Sequence, residues 1–182
     1  MTVGLGTTKG GAEPPAQRPA RGPGADTVKS MSADQLSLTE VHPRKKRRYW
    51  HLFEPSSEFV KPWWRPEESV SESEHWLSGQ LRGTEVARCK FVLDVSPQSH
   101  PLLGKMPHGQ LDILALEVAV SARGHGVGRD VLRTIRDLFP LPRLTALNDN
   151  AESRGFWDSA GWIRHEHPNL LFRSERVTYS ER

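Results

Sequence analysis

Apolar residues follow their clearest pattern in the second half of the chain. From Leu111 to Val120 they are nearly continuous, as in a strand that is buried on both faces. A glycine-rich stretch follows, and apolar residues then recur at helical spacing until Pro140, which predicts a helix that ends near Leu138. The apolar stripe of that helix consists of Val127, Val131, Leu132, Ile135, Leu138 and Phe139.

Shorter patterns follow this helix. Residues 144–147 predict a strand, and Asp149 with Glu152 forms an N-capping pattern for a helix that ends near Gly161. Residues 162–165 and 170–177 are typical of a closing hairpin. The order strand, turn, helix, strand, helix, strand indicates an α/β fold.

The first half of the chain is less regular. Alternation around Leu36 and Leu38 predicts a short edge strand. Pro43 is expected to open a helix that runs through a basic stretch to about Phe53, since proline is tolerated in a first turn. Residues 55–74 are irregular. The segments 76–81 and 85–95 predict a hairpin that turns at Arg82-Gly83.

Residues 1–34 are rich in glycine, proline and alanine and show no helical or strand period, so we expect a disordered tail ahead of one domain at 35–182. The longest apolar stretch is too short to span a bilayer, and no membrane association is expected. The single cysteine, Cys89, excludes an internal disulfide and suits the cytoplasm. We expect Cys89 to be a small buried apolar residue, and no metal site.

Basic residues are concentrated in one place. The formal net charge is +3, and the five consecutive cations at 44–48 supply more than all of it. A nucleic-acid-binding protein spreads its basic residues over a face that contacts several phosphates. The sequence therefore favours a solvated helix face over a nucleic-acid partner, although a nucleic-acid-associated protein that uses residues 44–48 remains an alternative.

The stretch from Arg123 to Arg129 has the composition of a phosphate site. Free N–H groups and the helix dipole at a helix start favour an anion, and glycine lets the backbone approach it closely. A Walker A loop is excluded because Arg129-Asp130 replaces the Lys-Ser/Thr pair. A dinucleotide fingerprint has a different glycine spacing, although Asp149 is loosely placed for its acidic residue. That fingerprint and a purely structural turn stay open.

Two motifs carry a resemblance. Arg123-x-x-Gly126-x-Gly128 resembles the Arg/Gln-x-x-Gly-x-Gly/Ala signature of the GNAT superfamily of N-acetyltransferases. Asn150, followed by Phe156-Trp157 and Gly161-Trp162, is similar to a second motif of that family. The resemblance covers about 111–162 well and 76–95 in outline.

This resemblance implies a mixed, mainly antiparallel sheet flanked by helices, in a monomer or homodimer. It implies acetyl-CoA as co-substrate and an unidentified amine as acceptor, with a backbone N–H of Leu116 or Val118 polarising the thioester carbonyl. The cofactor-binding residues that it implies are Leu116, Val118, Arg123, Gly124, His125, Gly126, Val127, Gly128, Arg129, Asn150 and Trp157. Trp50, Trp63, Trp64 and Trp76 fall where the family builds its acceptor pocket, or belong to the core.

Two carboxylates in the central strand are candidate general bases, because burial raises a carboxyl pKa. The resemblance suggests Asp112, eleven residues before Arg123, and Glu117 is the rival. In a regular strand the two point to opposite faces, unless a β-bulge intervenes. Either could instead be paired with a neighbouring arginine.

The acid is where this chain departs from the family, which often has tyrosine at the position of Trp157. The tyrosines here, Tyr49 and Tyr179, lie outside the motif. The sequence predicts an N-acetyltransferase that works by direct attack in a ternary complex. The alternative is a non-catalytic CoA-binding regulator of the same fold.

Overall fold

The computed structural model describes residues 35–148, 151–166 and 177–182. The tail predicted at 1–34 and the residues Asp149 and Asn150 lie outside these ranges, as does most of the predicted last arm at 170–177.

The described residues form a mixed, mainly antiparallel seven-stranded sheet with two α-helices, the α/β class predicted from the element order. The sheet strands are β1 Ser37–Glu40, β4 Glu74–Leu81, β5 Thr84–Asp94, β8 Gln110–Val118, β9 Arg143–Asn148, β10 Ile163–His165 and β11 Val177–Ser180; the helices are α1 Val127–Leu138 and α2 Ala151–Ser159. Their order across the sheet is β1-β4-β5-β8-β9-β11-β10. The pair β8–β9 is parallel, and every other pairing described in the sheet is antiparallel.

Two small hairpins and two single-turn 3-10 helices complete the described structure. The hairpins pair β2 (Arg44–Lys46) with β3 (Tyr49–His51), and β6 (Gln98–His100) with β7 (Gly104–Met106). The 3-10 turns are Pro62–Trp64 and Val120–Ala122. In the part of the chain described, none of the helices has the length and apolar character to span a membrane.

Helix α1 covers one face of the sheet through its predicted stripe. Val131 and Ile135 are almost completely buried against β5 and β8, while Leu138 in the last turn is exposed. Burial of each such side chain contributes about 1.5–3 kcal/mol. Cys89 lies in this core, where burial raises the pKa of its thiol to about 12, so it behaves as a small apolar residue.

The predicted helix over 43–53 is wrong, because this segment forms the β2–β3 hairpin, with Arg47 at positive φ in the turn. A helix would place cations at i and i+4 on one face, where they repel. In the hairpin Arg48 instead forms an ion pair with Glu68. Tertiary contact fixes the second strand, since Trp50 and Glu67 exchange backbone hydrogen bonds of 2.7 and 2.9 Å.

Strand β8 departs from the burial predicted for it. Leu111 and Ile113 are buried as expected, but Leu114 is 43% exposed, and Leu116 and Val118 are only partly buried. The expectation of burial on both faces is therefore wrong for the second half of the strand, because a cleft runs beside it.

Candidate functional site

The sheet splits at its parallel pair. Strands β8 and β9 are paired from Gln110–Arg143 to Ile113–Ala146, although β8 continues to Val118. Within the described residues, positions 114–118 therefore have no strand partner on the side away from β5. A cleft of about 550 Å³ opens there, between β8, the glycine-rich turn and α2. This volume is in the range of small-molecule sites.

A β-bulge at Leu114 changes which side chains face which side of the sheet. Phe91 is paired with Ile113 and Lys90 with Ala115, so Leu114 has no partner on β5. Beyond the bulge the faces are exchanged, and Leu116 and Val118 join Ile113 on the α1 face. Asp112 and Glu117 consequently lie on the same face of the sheet, which the sequence pattern allowed only if a β-bulge lay between them.

The turn before α1 needs its glycines for different reasons. Gly124 and Gly126 have φ of 79° and 82°, the left-handed region that favours glycine. Gly128 has ordinary φ, but a Cβ there would lie 2.7 Å from the ring of Phe156 on α2. Gly126 is the N-cap of α1. The close packing of the turn against α2 therefore depends on Gly128.

The turn also has the donors that an anion needs. Among the described residues, none accepts a hydrogen bond from the backbone N–H of residues 124–128. Arg123 and Arg129 add positive charge at the cleft. Free amides, a helix N-terminus and two guanidinium groups together favour a phosphate ligand.

Most of the residues predicted to bind the cofactor line this cleft. They are Leu116, Val118, Arg123, Gly124, Gly126, Val127, Gly128, Arg129 and Trp157. His125 is exposed in the turn and does not line the cleft, and Asn150 lies outside the described residues.

Asp112 lies at the closed end of the split, one pair before the parallel ladder ends. Its Oδ1 accepts a 2.7 Å hydrogen bond from Thr145 Oγ1, which accepts one of 2.6 Å from Gln110 Nε2. Burial raises the pKa of Asp112, and the Thr145 hydrogen bond and the nearby His100 oppose that shift. Asp112 is not a lining residue of the cleft itself.

Glu117 lines the cleft but is fully engaged by hydrogen-bond donors. Its carboxylate accepts from the backbone N–H of Val60 (2.9 Å) and Lys61 (3.2 Å) and from Trp64 Nε1 (2.6 Å). It also pairs with Arg123 Nη2 at 3.2 Å. The arginine pairing weighed as the alternative for this carboxylate is the one observed.

Aromatic rings surround Trp157. Its ring centroid lies 4.9 Å from that of Phe156, 4.7 Å from Trp162 and 6.2 Å from Tyr179. Tyr179 is completely buried behind it and donates its hydroxyl to Asp158 at 3.0 Å. Burial and then the bond to Asp158 raise the Tyr179 pKa. Neither tyrosine lines the cleft, since Tyr49 lies in the β2–β3 hairpin.

The four tryptophans considered for an acceptor pocket separate into three environments. Trp63 lines the cleft and is 36% exposed, whereas Trp64 is buried beneath it. Trp50 and Trp76 line a different cavity at the end of β1. Of these four tryptophans, Trp63 alone lines the described cleft.

The predicted site lacked several residues that line the cleft, among them Lys61, Ser153, Phe156 and Ser159. The sequence did offer a signal for the lining residues of α2. Ser153, Phe156 and the predicted Trp157 are spaced i, i+3 and i+4 and so share a helix face. No sequence pattern indicated Lys61, because it lies in an irregular segment about fifty residues before the central strand.

No protein-family model matches the chain, and no curated protein matches its sequence. Solved structures do. The chain is similar to an acetyltransferase from Thermus thermophilus, at 16% identity and a TM-score of 0.47 over 62% of this chain and 66% of that one.

Two further likenesses are of the same kind. The chain is similar to the ribosomal-protein-S18-alanine N-acetyltransferase of Escherichia coli, with 12% identity and a TM-score of 0.49 over 81% of this chain and 93% of that one. It is also similar to the PaiA N-acetyltransferase from Thermoplasma acidophilum in complex with coenzyme A, with 10% identity and a TM-score of 0.43 over 60% and 62%.

At identities below 25% and TM-scores below 0.5, these likenesses leave the function to be inferred from the chain's own geometry. The chain has the mixed, mainly antiparallel α/β architecture that its resemblance to the GNAT superfamily implied.

Proposed function

We propose that the chain is an acetyl-CoA-dependent N-acetyltransferase, which moves an acetyl group to a primary amine by direct attack in a ternary complex. The observation that carries this proposal is the split between β8 and β9 opening onto the glycine turn. A split sheet beside a free helix N-terminus can hold an extended ligand that ends in a phosphate.

The residues of the cleft fit coenzyme A. The amides of residues 124–128 and the cations Arg123 and Arg129 would hold the pyrophosphate. The unpaired edge of β8 at 114–118 offers backbone groups to the amides of the pantetheine arm, as a neighbouring strand would. Leu116 and Val118 lie on that edge, where one N–H would polarise the thioester carbonyl.

For the transfer, the amine must lose a proton as its nitrogen bonds to the acetyl carbon and the carbon–sulfur bond breaks. Asp112 is the better base of the two carboxylates, because its pKa is raised by burial and it has one side-chain donor, from Thr145. Glu117 is occupied by its four donors. The departing thiolate would take its proton from water, since the Trp157 indole is not an acid.

A second candidate is a CoA-binding regulator without turnover. The arrangement around Trp157 favours it, because no tyrosine hydroxyl lines the described cleft and that of Tyr179 is bonded to Asp158. The two candidates share the ligand and differ in the reaction.

Binding and turnover test the two candidates in order. A thermal shift with acetyl-CoA at about a hundred times its dissociation constant should stabilise the protein by ~2.7 kcal/mol. The matched control is Gly126→Val, which places a β-branched side chain at a positive φ and so disturbs the backbone of the turn. Absence of a shift in the wild type would refute both candidates. A shift without thiol release across a panel of primary amines would favour the regulator.

A further inference from the structure

Glu117 connects two parts of the cleft that are distant in sequence. One is the segment 58–64, which carries the lining residues Lys61 and Trp63 and which we call the cleft wall. The other is Arg123, the first residue of the glycine turn. Donors from both parts meet on one carboxylate that is only 5% exposed. A buried charge is costly unless it is hydrogen-bonded and paired. Moving any of these donors away from Glu117 would therefore cost free energy, which fixes the position of both parts.

Arg123 is positioned at its inner side by two contacts. Its Nε donates to the carbonyl of Val118 at 3.1 Å and its Nη2 pairs with Glu117, yet 48% of the side chain is exposed. The guanidinium group is therefore fixed at its inner edge and accessible at the cleft. Any ligand charge that acts on Arg123 also acts on its pairing with Glu117.

The cleft wall has a second and weaker attachment to the same region. Glu58 accepts hydrogen bonds from the backbone N–H and the hydroxyl of Ser121, at 2.9 and 2.7 Å. Val120 N–H donates to the Glu58 carbonyl at 3.0 Å. These side-chain contacts of Glu58 are exposed, whereas those of Glu117 are buried or partly buried, so Glu117 is the principal connection.

We propose that Glu117 is a positioning residue that couples occupation of the glycine turn by phosphate to the position of the cleft wall. The inference rests on the proposed function, because it takes the coenzyme phosphate as the ligand of the turn. A phosphate beside Arg123 competes with Glu117 for the guanidinium group. The Glu117 carboxylate then depends more on the hydrogen bonds donated by Val60, Lys61 and Trp64. Because the coupling is reciprocal, a change in the hydrogen bonds that Val60, Lys61 and Trp64 donate to Glu117 alters coenzyme affinity.

Trp64 allows a direct test, because it bonds to Glu117 and does not line the cleft. Trp64→Phe removes the donor and keeps an aromatic ring. We expect it to weaken CoA binding, measured by isothermal titration calorimetry, by about 5-fold or more. Phe59→Leu is the matched control, since Phe59 belongs to the same apolar cluster and has no side-chain bond to Glu117. It should leave the CoA dissociation constant near that of the wild type.

A double-mutant cycle of Trp64→Phe with Arg123→Gln identifies the route. The effects of the two substitutions on CoA affinity should be non-additive when Glu117 is present and additive when the same cycle is built on Glu117→Gln. Amide exchange gives a readout that needs no substitution of Glu117: CoA should slow exchange at Val60 and Lys61 in the wild type and not in Arg123→Gln.

The outcomes separate this inference from the proposed function. If wild-type protein binds no CoA, the proposed function itself is refuted. If CoA binds, but Trp64→Phe behaves like Phe59→Leu, the cycle is additive and exchange at residues 60 and 61 is unchanged, the coupling through Glu117 is overturned while the coenzyme site stands.

Discussion

Asp112 and Glu117 are five residues apart in one strand and yet lie on the same face of the sheet. The cause is the bulge at Leu114, which adds one residue between them without a partner on β5. Their surroundings give them different properties. Asp112 has a raised pKa and a donor from Thr145, whereas Glu117 is bound by donors from three other residues and by Arg123.

Removing each carboxylate should therefore have different effects. Asp112→Asn is expected to lower kcat by about 10²–10⁴-fold, the usual contribution of a general base, with little change in the CoA dissociation constant. Glu117→Gln is expected to weaken CoA binding, since it loses the charge that holds Arg123. Steady-state kinetics and calorimetry on the two variants separate the roles. Full activity in Asp112→Asn would disprove the base assignment.

The pH dependence follows from the raised pKa of Asp112. Between its unfolded and folded pKa values the folded state binds more protons, so this residue lowers stability as pH rises through that window. Asp112→Asn should consequently be most stabilising, relative to wild type, above the folded pKa. Thr145→Val removes the hydrogen bond that lowers the pKa and should move the acid limb of kcat/KM to higher pH. Thr145→Ser should restore the limb, and denaturant unfolding from about pH 3 to about pH 8 checks the stability term.

Gly128 in α1 and Gly155 in α2 provide a matched pair of substitutions. Gly128→Ala places a Cβ 2.7 Å from the Phe156 ring, and overpacking of this kind costs about 1–3 kcal/mol. Gly155→Ala in α2 meets nothing within 4 Å and should stabilise by about 0.4–1 kcal/mol. Urea unfolding measures both. Equal effects would contradict the packing of α1 against α2.

Trp157 can be tested with two substitutions of nearly equal volume. Trp157→Tyr and Trp157→Phe lose the same contacts with Trp162, but only tyrosine restores a proton donor. If protonation of the thiolate limits turnover, the tyrosine variant should exceed the phenylalanine variant in kcat by about 10-fold or more. Thiol release at saturating acetyl-CoA measures the ratio, and identical rates would show that another step limits.

Local sequence was sufficient for the elements whose interactions are local. The α1 stripe, the hairpin turn at Arg82-Gly83 and the glycine turn all followed from residues close together in the chain. In each, the period of apolar residues or the backbone freedom of glycine decides the conformation within a few positions.

Tertiary structure decided what depends on distant partners. The basic run became a hairpin because Trp50 pairs with Glu67, and the bulge at Leu114 is defined by its pairing with β5. Likewise, Glu117 is bound by residues more than fifty positions earlier. The sequence predicted an anion site ahead of α1, in a turn whose motif resembles the GNAT signature, and the split of β8 from β9 decided that this turn opens into a cleft. That split arises where cross-strand pairing stops, and no residue marks it locally.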